Sequence, residues 1–162
     1  MRAVTPPATV TAYIALGANI GDREGNLRAA VRELGATRNS RVIRVSSFFE
    51  NPAVGGPPDS PPFLNAVAEI ETALPPRELL DRLLEIEKLL GRVRRDKWEP
   101  RLIDLDLLLY GDAVLDTPTL KIPHPLMQRR HFVLQPLVEI APDAMHPTLR
   151  QTVRQLLLKL GD

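Results

Sequence analysis

An α+β fold is predicted by three observations: two amphipathic helical stripes, four apolar runs of strand length, and the order in which they alternate. The first stripe is Leu27, Ala30, Val31 and Leu34, at i, i+3, i+4 and i+7, and the second is Leu79, Leu83, Ile86 and Leu90. The strand-like runs open near Val10, Arg41, Phe63 and Leu102. Strand, helix, strand, strand, helix, strand is the split βαβ pattern. The expectation is a ferredoxin-like sandwich with a βαββαβ core, its helices on one side of a mainly antiparallel sheet, plus an extra C-terminal hairpin and helices. The 162 residues are read as one domain, 1–162, large enough for a real core.

In chain order, Val10 to Leu16 is a short β-rich run, and Gly17, Asn19 and Gly21 after it read as a tight turn with positive φ. Gly17-Ala-Asn-Ile-Gly21 lacks the Gly-Lys-Ser/Thr ending of a phosphate loop and does not match the dinucleotide fingerprint. Asp22 is placed to cap the first helix and Gly35 to stop it. Arg41 to Glu50 reads as one strand, followed by Asn51 to Pro62, too dense in Pro and Gly for helix or paired strand. A loop of that length inside a small domain is read as functional or disordered rather than ornamental. Phe63 to Glu71 is the third strand, with Leu64, Ala66, Ala68 and Ile70 on the core face and Phe63 and Asn65 on the other. Pro75, Pro76 and Glu78 open the second helix and Gly91 ends it. Gly111-Asp112 reads as a hairpin turn into Ala113 to Leu115, Ile122 to Pro125 as rigid and extended, and Thr148 as the cap of a last helix whose inner face is Val153, Leu156, Leu157 and Leu160.

Composition excludes several classes. A formal charge of +1 provides no field that would draw the chain to nucleic acid or to an anionic membrane, so any phosphate binding must come from a local cluster. The absence of Cys removes disulfides, thiolate metal sites and a cysteine nucleophile. The N-terminus lacks the basic and apolar regions of a signal peptide, and no apolar run approaches the roughly 20 residues that span a bilayer. The reading is a soluble, unexported protein of the cytoplasm, acting as a monomer.

The chemistry gathers at Trp98-Glu-Pro-Arg101-Leu-Ile-Asp104-Leu-Asp106-Leu-Leu-Leu109. On a strand, Asp104 and Asp106 point the same way, about 7 Å apart, while Ile103, Leu105, Leu107 and Leu109 take the opposite face. Two acids on so apolar a strand are costly to bury without a cation. Paired carboxylates that leave most of a coordination shell open suit Mg²⁺, and Arg101 just upstream offers a planar fork for phosphate. Arg92, Arg94, Arg95 and Lys97 around Trp98 form a basic stretch without apolar period, either a solvated loop or a mobile polyphosphate clamp. His124 between prolines is a better ligand contact than core residue, and Arg129, Arg130, His131 and Phe132 add phosphate-binding side chains and an aromatic.

These residues carry a resemblance over nearly the whole chain to the 6-hydroxymethyl-7,8-dihydropterin pyrophosphokinase family of folate biosynthesis. The signature is an arginine three residues before Asp-x-Asp, here Arg101, Asp104 and Asp106. It is supported by Tyr13 to Asn19, Phe63-Leu-Asn65-Ala, Glu87 followed by Gly91-Arg92-Val-Arg94, Pro123-His124, and Arg130-His-Phe132. The resemblance implies ATP as co-substrate with two Mg²⁺ ions on Asp104 and Asp106, and Arg92 and Arg101 on the polyphosphate. Phe63 and Phe132 would sandwich the pterin ring, Asn65 would read its edge, and Trp98 would complete its pocket. Arg94, His124 and Arg130 would serve the nucleotide, and Glu87 would lie near it or near Arg92. The chain departs from similar proteins at Pro125, where an aromatic is common, and at Asn51, where Thr is.

The implied reaction is in-line attack of the pterin hydroxymethyl oxygen on the β-phosphorus of ATP with release of AMP. No residue stands out as a general base, so positioning carries the catalysis. Because the chain ends at Asp162, it is expected to be monofunctional. Two other readings remain open on the residues. A ferredoxin-like RNA-binding module would use the Arg92 to Lys97 stretch but lacks aromatic strand motifs. A metal-dependent phosphohydrolase would use Asp104 and Asp106 and leave the aromatic pair idle.

Overall fold

A computed structural model describes residues 8–51, 62–91 and 102–161. Its elements follow from the periodicities. The first strand, β1, spans Val10–Ala18. The first helix, α1, spans Arg23–Gly35 and opens on Asp22, whose side chain accepts from the Gly25 N–H at 3.0 Å. A Cβ at Gly25 would fall 2.2 Å from that carboxylate, so the capping geometry needs a glycine there. The strand β2 runs Ser40–Val45, β3 Phe49–Asn51 and β4 Phe63–Thr72. The helix α2, Pro76–Leu89, begins with Pro at N1 and ends just before Gly91, whose φ of 94° is the left-handed conformation of a helix stop. The strand β5, Asp104–Tyr110, completes the sheet.

The main sheet has the order β2-β4-β1-β5, with β3 also paired to β4, and every pairing is antiparallel. β1 therefore lies between β4 and β5. One face packs Ile14, Leu16, Ala66, Ala68, Leu105 and Leu107 against Leu27, Ala30 and Leu34 of α1 and Leu79, Leu83 and Ile86 of α2. Each leucine and isoleucine among them contributes roughly 1.5–3 kcal/mol on leaving water.

The other face corrects the expectation of helices on one side only. Small paired strands, β6 (Leu115–Asp116) with β7 (Lys121–Ile122), lead through a cis Ile122–Pro123 bond to a 3₁₀ turn at Met127–Arg129. A further helix, α3 (His131–Ile140), follows, then the paired β8 (Met145–His146) and β9 (Gln151–Thr152), and finally α4 (Val153–Leu160). Val133, Leu134 and Leu137 of α3 and Val153 and Leu156 of α4 pack with Val67, Leu108 and Leu109 into a second core on this face.

Four further expectations are corrected. Gly17 lies within β1 rather than in a turn, and the positive φ falls at Gly21, 65°. The run Arg41 to Glu50 is two strands, because at Ser46 the side-chain hydroxyl accepts the Val67 N–H at 2.9 Å that a ladder carbonyl would otherwise take. The turn after Tyr110 does not pair its strand back onto β5; β6 pairs with β7 instead. The last helix is capped by Thr152 rather than Thr148, with Gln155 completing a capping box.

His146 sits 4% exposed at the turn before β9, its Nδ1 accepting the N–H groups of Thr148 at 3.3 Å and Leu149 at 3.0 Å. Those two donors put the neutral ring's proton on Nε2, and burial pushes the pKa below the ordinary 6.5. A base whose folded pKa is depressed binds its proton more readily when unfolded. Its stability contribution is present above about pH 6.5 and is lost as pH falls from there through the folded value. Thermal unfolding followed between about pH 7.5 and 5 should show a falling Tm on acidification, and His146→Asn, which keeps an acceptor but cannot titrate, should flatten that slope. An unchanged slope in the variant would show that His146 is not the group responsible.

Candidate active site

The sheet register sets four residues in one row: Phe49 opposite Asn65, Asn65 opposite Gly17, and Gly17 opposite Asp104. One step further along, Val67, Ala15 and Asp106 form the next row. Because Val67 and Ala15 pack with the second core, Asp104, Asp106 and Asn65 share the sheet face that α3 and α4 cover further along. The spacing argument for the two aspartates is met: Leu105 and Leu107 point into the core beneath α1 and α2, while Asp104 is half-buried and Asp106 exposed on the other side. Leu109 departs from that alternation. A register shift between Tyr13 and Ile14 leaves Leu108 as an extra residue, and Leu109 joins the second core instead of the first.

Gly17 is what the row is built over. A Cβ there would stand 3.0 Å from Asn65 Nδ2 and 3.5 Å from Phe63 Cδ1, so a bare backbone lets the amide and the ring lie down on β1. Asn65 is 7% exposed, and its Oδ1 accepts from Asn51 Nδ2 at 3.2 Å. Neither the supporting glycine nor Asn51's bond to Asn65 was visible in the sequence. A Gly interrupting a β-run is the signal that marks the first.

The side of the site beyond β5 is set by its outer edge. The His124 N–H donates to Leu108 O at 2.9 Å, which brings the imidazole beside Asp106. His124 Nδ1 accepts from the Leu126 N–H at 3.2 Å, leaving Nε2 to carry the proton of the neutral ring. Burial lowers the His124 pKa; the Asp106 charge raises it and the Arg130 charge lowers it further, so the three groups lie within electrostatic reach of one another. The Arg130 guanidinium stands 5.6 Å from the centroid of the Phe132 ring, and Phe132 at the start of α3 is half-buried against the second core. Glu87 is 5% exposed, with Oε2 accepting the Leu105 N–H at 2.8 Å. Arg92, Arg94, Trp98 and Arg101 lie outside the described residues, as does the Pro/Gly loop over 52–61.

The donor set fits a hard cation. Asp104 and Asp106 are carboxylates on one face at one level of the site. Among the described residues no group of three or more His, Cys, Asp or Glu could hold an ion alone. Two carboxylates with an open remainder of the shell suit a cation that also takes water and ligand oxygens, as Mg²⁺ does. Among the described residues no helix is long and apolar enough to cross a membrane.

The chain is similar to known proteins over most of its length. Residues 13–142 match the family model for 7,8-dihydro-6-hydroxymethylpterin-pyrophosphokinase. The chain is 45% identical over 146 residues to a 2-amino-4-hydroxy-6-hydroxymethyldihydropteridine pyrophosphokinase of Synechocystis, covering 90% of this chain and 74% of that one. It is 42% identical over 153 residues to the enzyme of the same name from Haemophilus influenzae, covering 94% of each. Among solved structures, the wild-type HPPK-DHPS of Plasmodium falciparum with pteroate superposes with a TM-score of 0.73 at 15% identity over 94% of this chain, a likeness of fold. This chain spans 44% of that protein's length. With a family match over most of its length and relatives above 40% identity, the chain belongs to the 7,8-dihydro-6-hydroxymethylpterin-pyrophosphokinase family.

Proposed function

We propose that the row of Asn65, Gly17 and Asp104, with Asp106 and His124 beside it, is where this chain transfers diphosphate from ATP to 6-hydroxymethyl-7,8-dihydropterin, giving AMP and the pterin diphosphate. The observation that carries the reading is the register itself. It places an amide able to read a heterocycle's edge and a pair of carboxylates able to hold a cation on one face at one end of the sheet. Asn65, with its amide resting over Gly17, reads the donor and acceptor edge of the pterin, and Phe63 and Phe132 take its two ring faces. Two Mg²⁺ ions are assigned to Asp104 and Asp106; when bound, they neutralise polyphosphate charge and polarise the phosphoryl oxygens.

The remaining work is positioning. His124 presents Nε2–H and Arg130 its guanidinium to nucleotide phosphate or ribose, beside Asp106. Arg92 and Arg101 are the expected polyphosphate ligands, with Arg94 on the nucleotide and Trp98 at the pterin. Arg92 and Arg101 adjoin Gly91 and Leu102 in sequence, and a Cβ on Gly91 would stand 3.1 Å from Leu102 Cδ1, so the two ends of that segment leave from one place. The pterin hydroxymethyl oxygen attacks the β-phosphorus in line, the bond to the bridging oxygen of the α-phosphate breaks, and AMP leaves. The strand order β2-β4-β1-β5 supports a ferredoxin-like core for this site.

Incubating the protein with MgATP and 6-hydroxymethyl-7,8-dihydropterin should yield AMP and diphosphorylated pterin one to one. ADP with a monophosphate would mean an ordinary kinase, and orthophosphate alone a hydrolase; either would overturn the assignment. Asp104→Asn and Asp106→Asn should each lower kcat by at least about 10²-fold with the circular dichroism unchanged. Near-normal turnover at saturating Mg²⁺ would remove the aspartates from the metal site. Phe63→Ala and Phe132→Ala should each weaken pterin binding by roughly 1–3 kcal/mol and leave MgATP affinity within about twofold, as calorimetric titration would show.

A further inference from the structure

Among the described residues Glu87 is the only buried carboxylate, and it lies in the last turn of α2. Such a residue has a task that an apolar side chain cannot perform.

The task is visible in its bond. The described sheet ends at β5, so the N–H and C=O groups on that strand's outer side have no neighbouring strand of the main sheet to pair with. Glu87 Oε2 accepts one of them, the Leu105 N–H, at 2.8 Å, and the His124 N–H meets another, Leu108 O, at 2.9 Å. Leu105 lies between Asp104 and Asp106, with its side chain locked in the core beneath α1 and α2. The peptide plane joining Asp104 to Leu105 is therefore held by β1 on one side and by α2, through Glu87, on the other. Its rotation sets the direction of the Cα–Cβ bonds of the residues on both sides.

Resting on the site described under the proposed function, we propose that Glu87 is a positioning residue that acts through the backbone. Its carboxylate fixes the Asp104–Leu105 peptide at the open edge of β5 and so sets the aim of Asp104, and with it the separation of the two carboxylates that would hold the cation. The resemblance implies for Glu87 only a place near the nucleotide or Arg92; the backbone role is additional to that. The role requires an acceptor oxygen at the full reach of the side chain. Glutamine supplies one, alanine supplies none, and aspartate falls short by one methylene, about 1.5 Å.

The test uses the whole chain and the variants Glu87→Gln, Glu87→Asp and Glu87→Ala. Three readouts are needed: amide exchange of Leu105 in the ligand-free protein, Mn²⁺ binding with a non-hydrolysable ATP analogue, and kcat with KM for each substrate. In Glu87→Ala and Glu87→Asp, Leu105 exchange should quicken at least about tenfold. Mn²⁺ affinity and kcat should fall about 10–100-fold, the range seen when groups that orient metal ligands are removed. KM for the pterin should stay within about twofold, and Glu87→Gln should lie within about threefold of the wild type throughout. If Glu87→Ala does not fold, Glu87→Asp and Glu87→Gln still make the comparison.

Glutamine as damaging as alanine, with KM for MgATP raised and kcat unchanged, would make Glu87 a direct nucleotide contact and overturn the proposal. Faster Leu105 exchange with unaltered Mn²⁺ binding would reduce Glu87 to a structural brace and also overturn it. Exchange and Mn²⁺ binding are read without turnover. Shifts in both, in a protein that makes no AMP, would fault the reaction and uphold the positioning role.

Discussion

The site depends on the antiparallel register of β1 with β4 on one side and β5 on the other, because that register alone puts Asn65, Gly17 and Asp104 in line. A slip of one residue in β5 would turn Asp104 and Asp106 into the core beneath α1 and α2 and bring Leu105 and Leu107 out. Burying a carboxylate without a partner costs several kcal/mol, and exposing two leucines forfeits roughly 3–6 kcal/mol more, so the register that makes the site is also the one that makes the fold. Gly17 completes the constraint. A Cβ there would stand 3.0 Å from Asn65 Nδ2, so the amide would have to give by a few tenths of an ångström, while Phe63 at 3.5 Å would stay in ordinary contact.

The two faces of the sheet divide the labour unequally. The face under α1 and α2 is closed along its length, from Leu105 through Ile14 to Ile70. The other is closed only in part. Along β5 the upper residues run from Asp104, half-buried, through exposed Asp106, to Leu108 at 1% exposure beneath α3 and α4. The cover begins where the chemistry stops. Phe132 and Arg130 stand at the start of α3, on that border, and His124 is tied to the same stretch of β5 by its backbone bond to Leu108. The added C-terminal half of the chain thus builds a wall of the site as well as the second core.

What was legible in the sequence is what local periodicity encodes. The stripe of Leu27, Ala30 and Leu34, the Gly91 stop and the alternation from Ile103 to Leu107 each need only their neighbours to be read. What was missed depends on partners distant in sequence. The break after Val45 exists because the Ser46 hydroxyl accepts the Val67 N–H, and Leu109 changes face because a bulge against β1 adds a residue. The helix α3 was hidden by Pro136, which removes one bond from the helical ladder but is buried with Val133, Leu134 and Leu137 against the sheet, where packing outweighs propensity. The site followed the same rule: Asp104, Asp106, Asn65 and His124 could be picked out by residue type. That Asn65 leans on Gly17 and takes a bond from Asn51, or that Glu87 serves Leu105, could not.

The rigid parts also determine how the two segments beside the site are hung. Arg23, at the start of α1, donates to Pro62 O at 2.9 Å and to Glu50 Oε2 at 2.8 Å, gripping the chain on both sides of 52–61, and β3 pairs Asn51 with Phe63 across the same gap. At 92–101 the ends meet as well: Gly91 and Leu102 lie in near contact, and Leu102 also reaches Gly21, where a Cβ would stand 3.4 Å from Cδ2. Fixing both ends of a segment charges the loop-closure entropy to folding rather than to ligand binding. One end of 92–101 follows the helix that carries Glu87 and the other runs into β5, and Glu87 ties that helix to β5 through the Leu105 N–H.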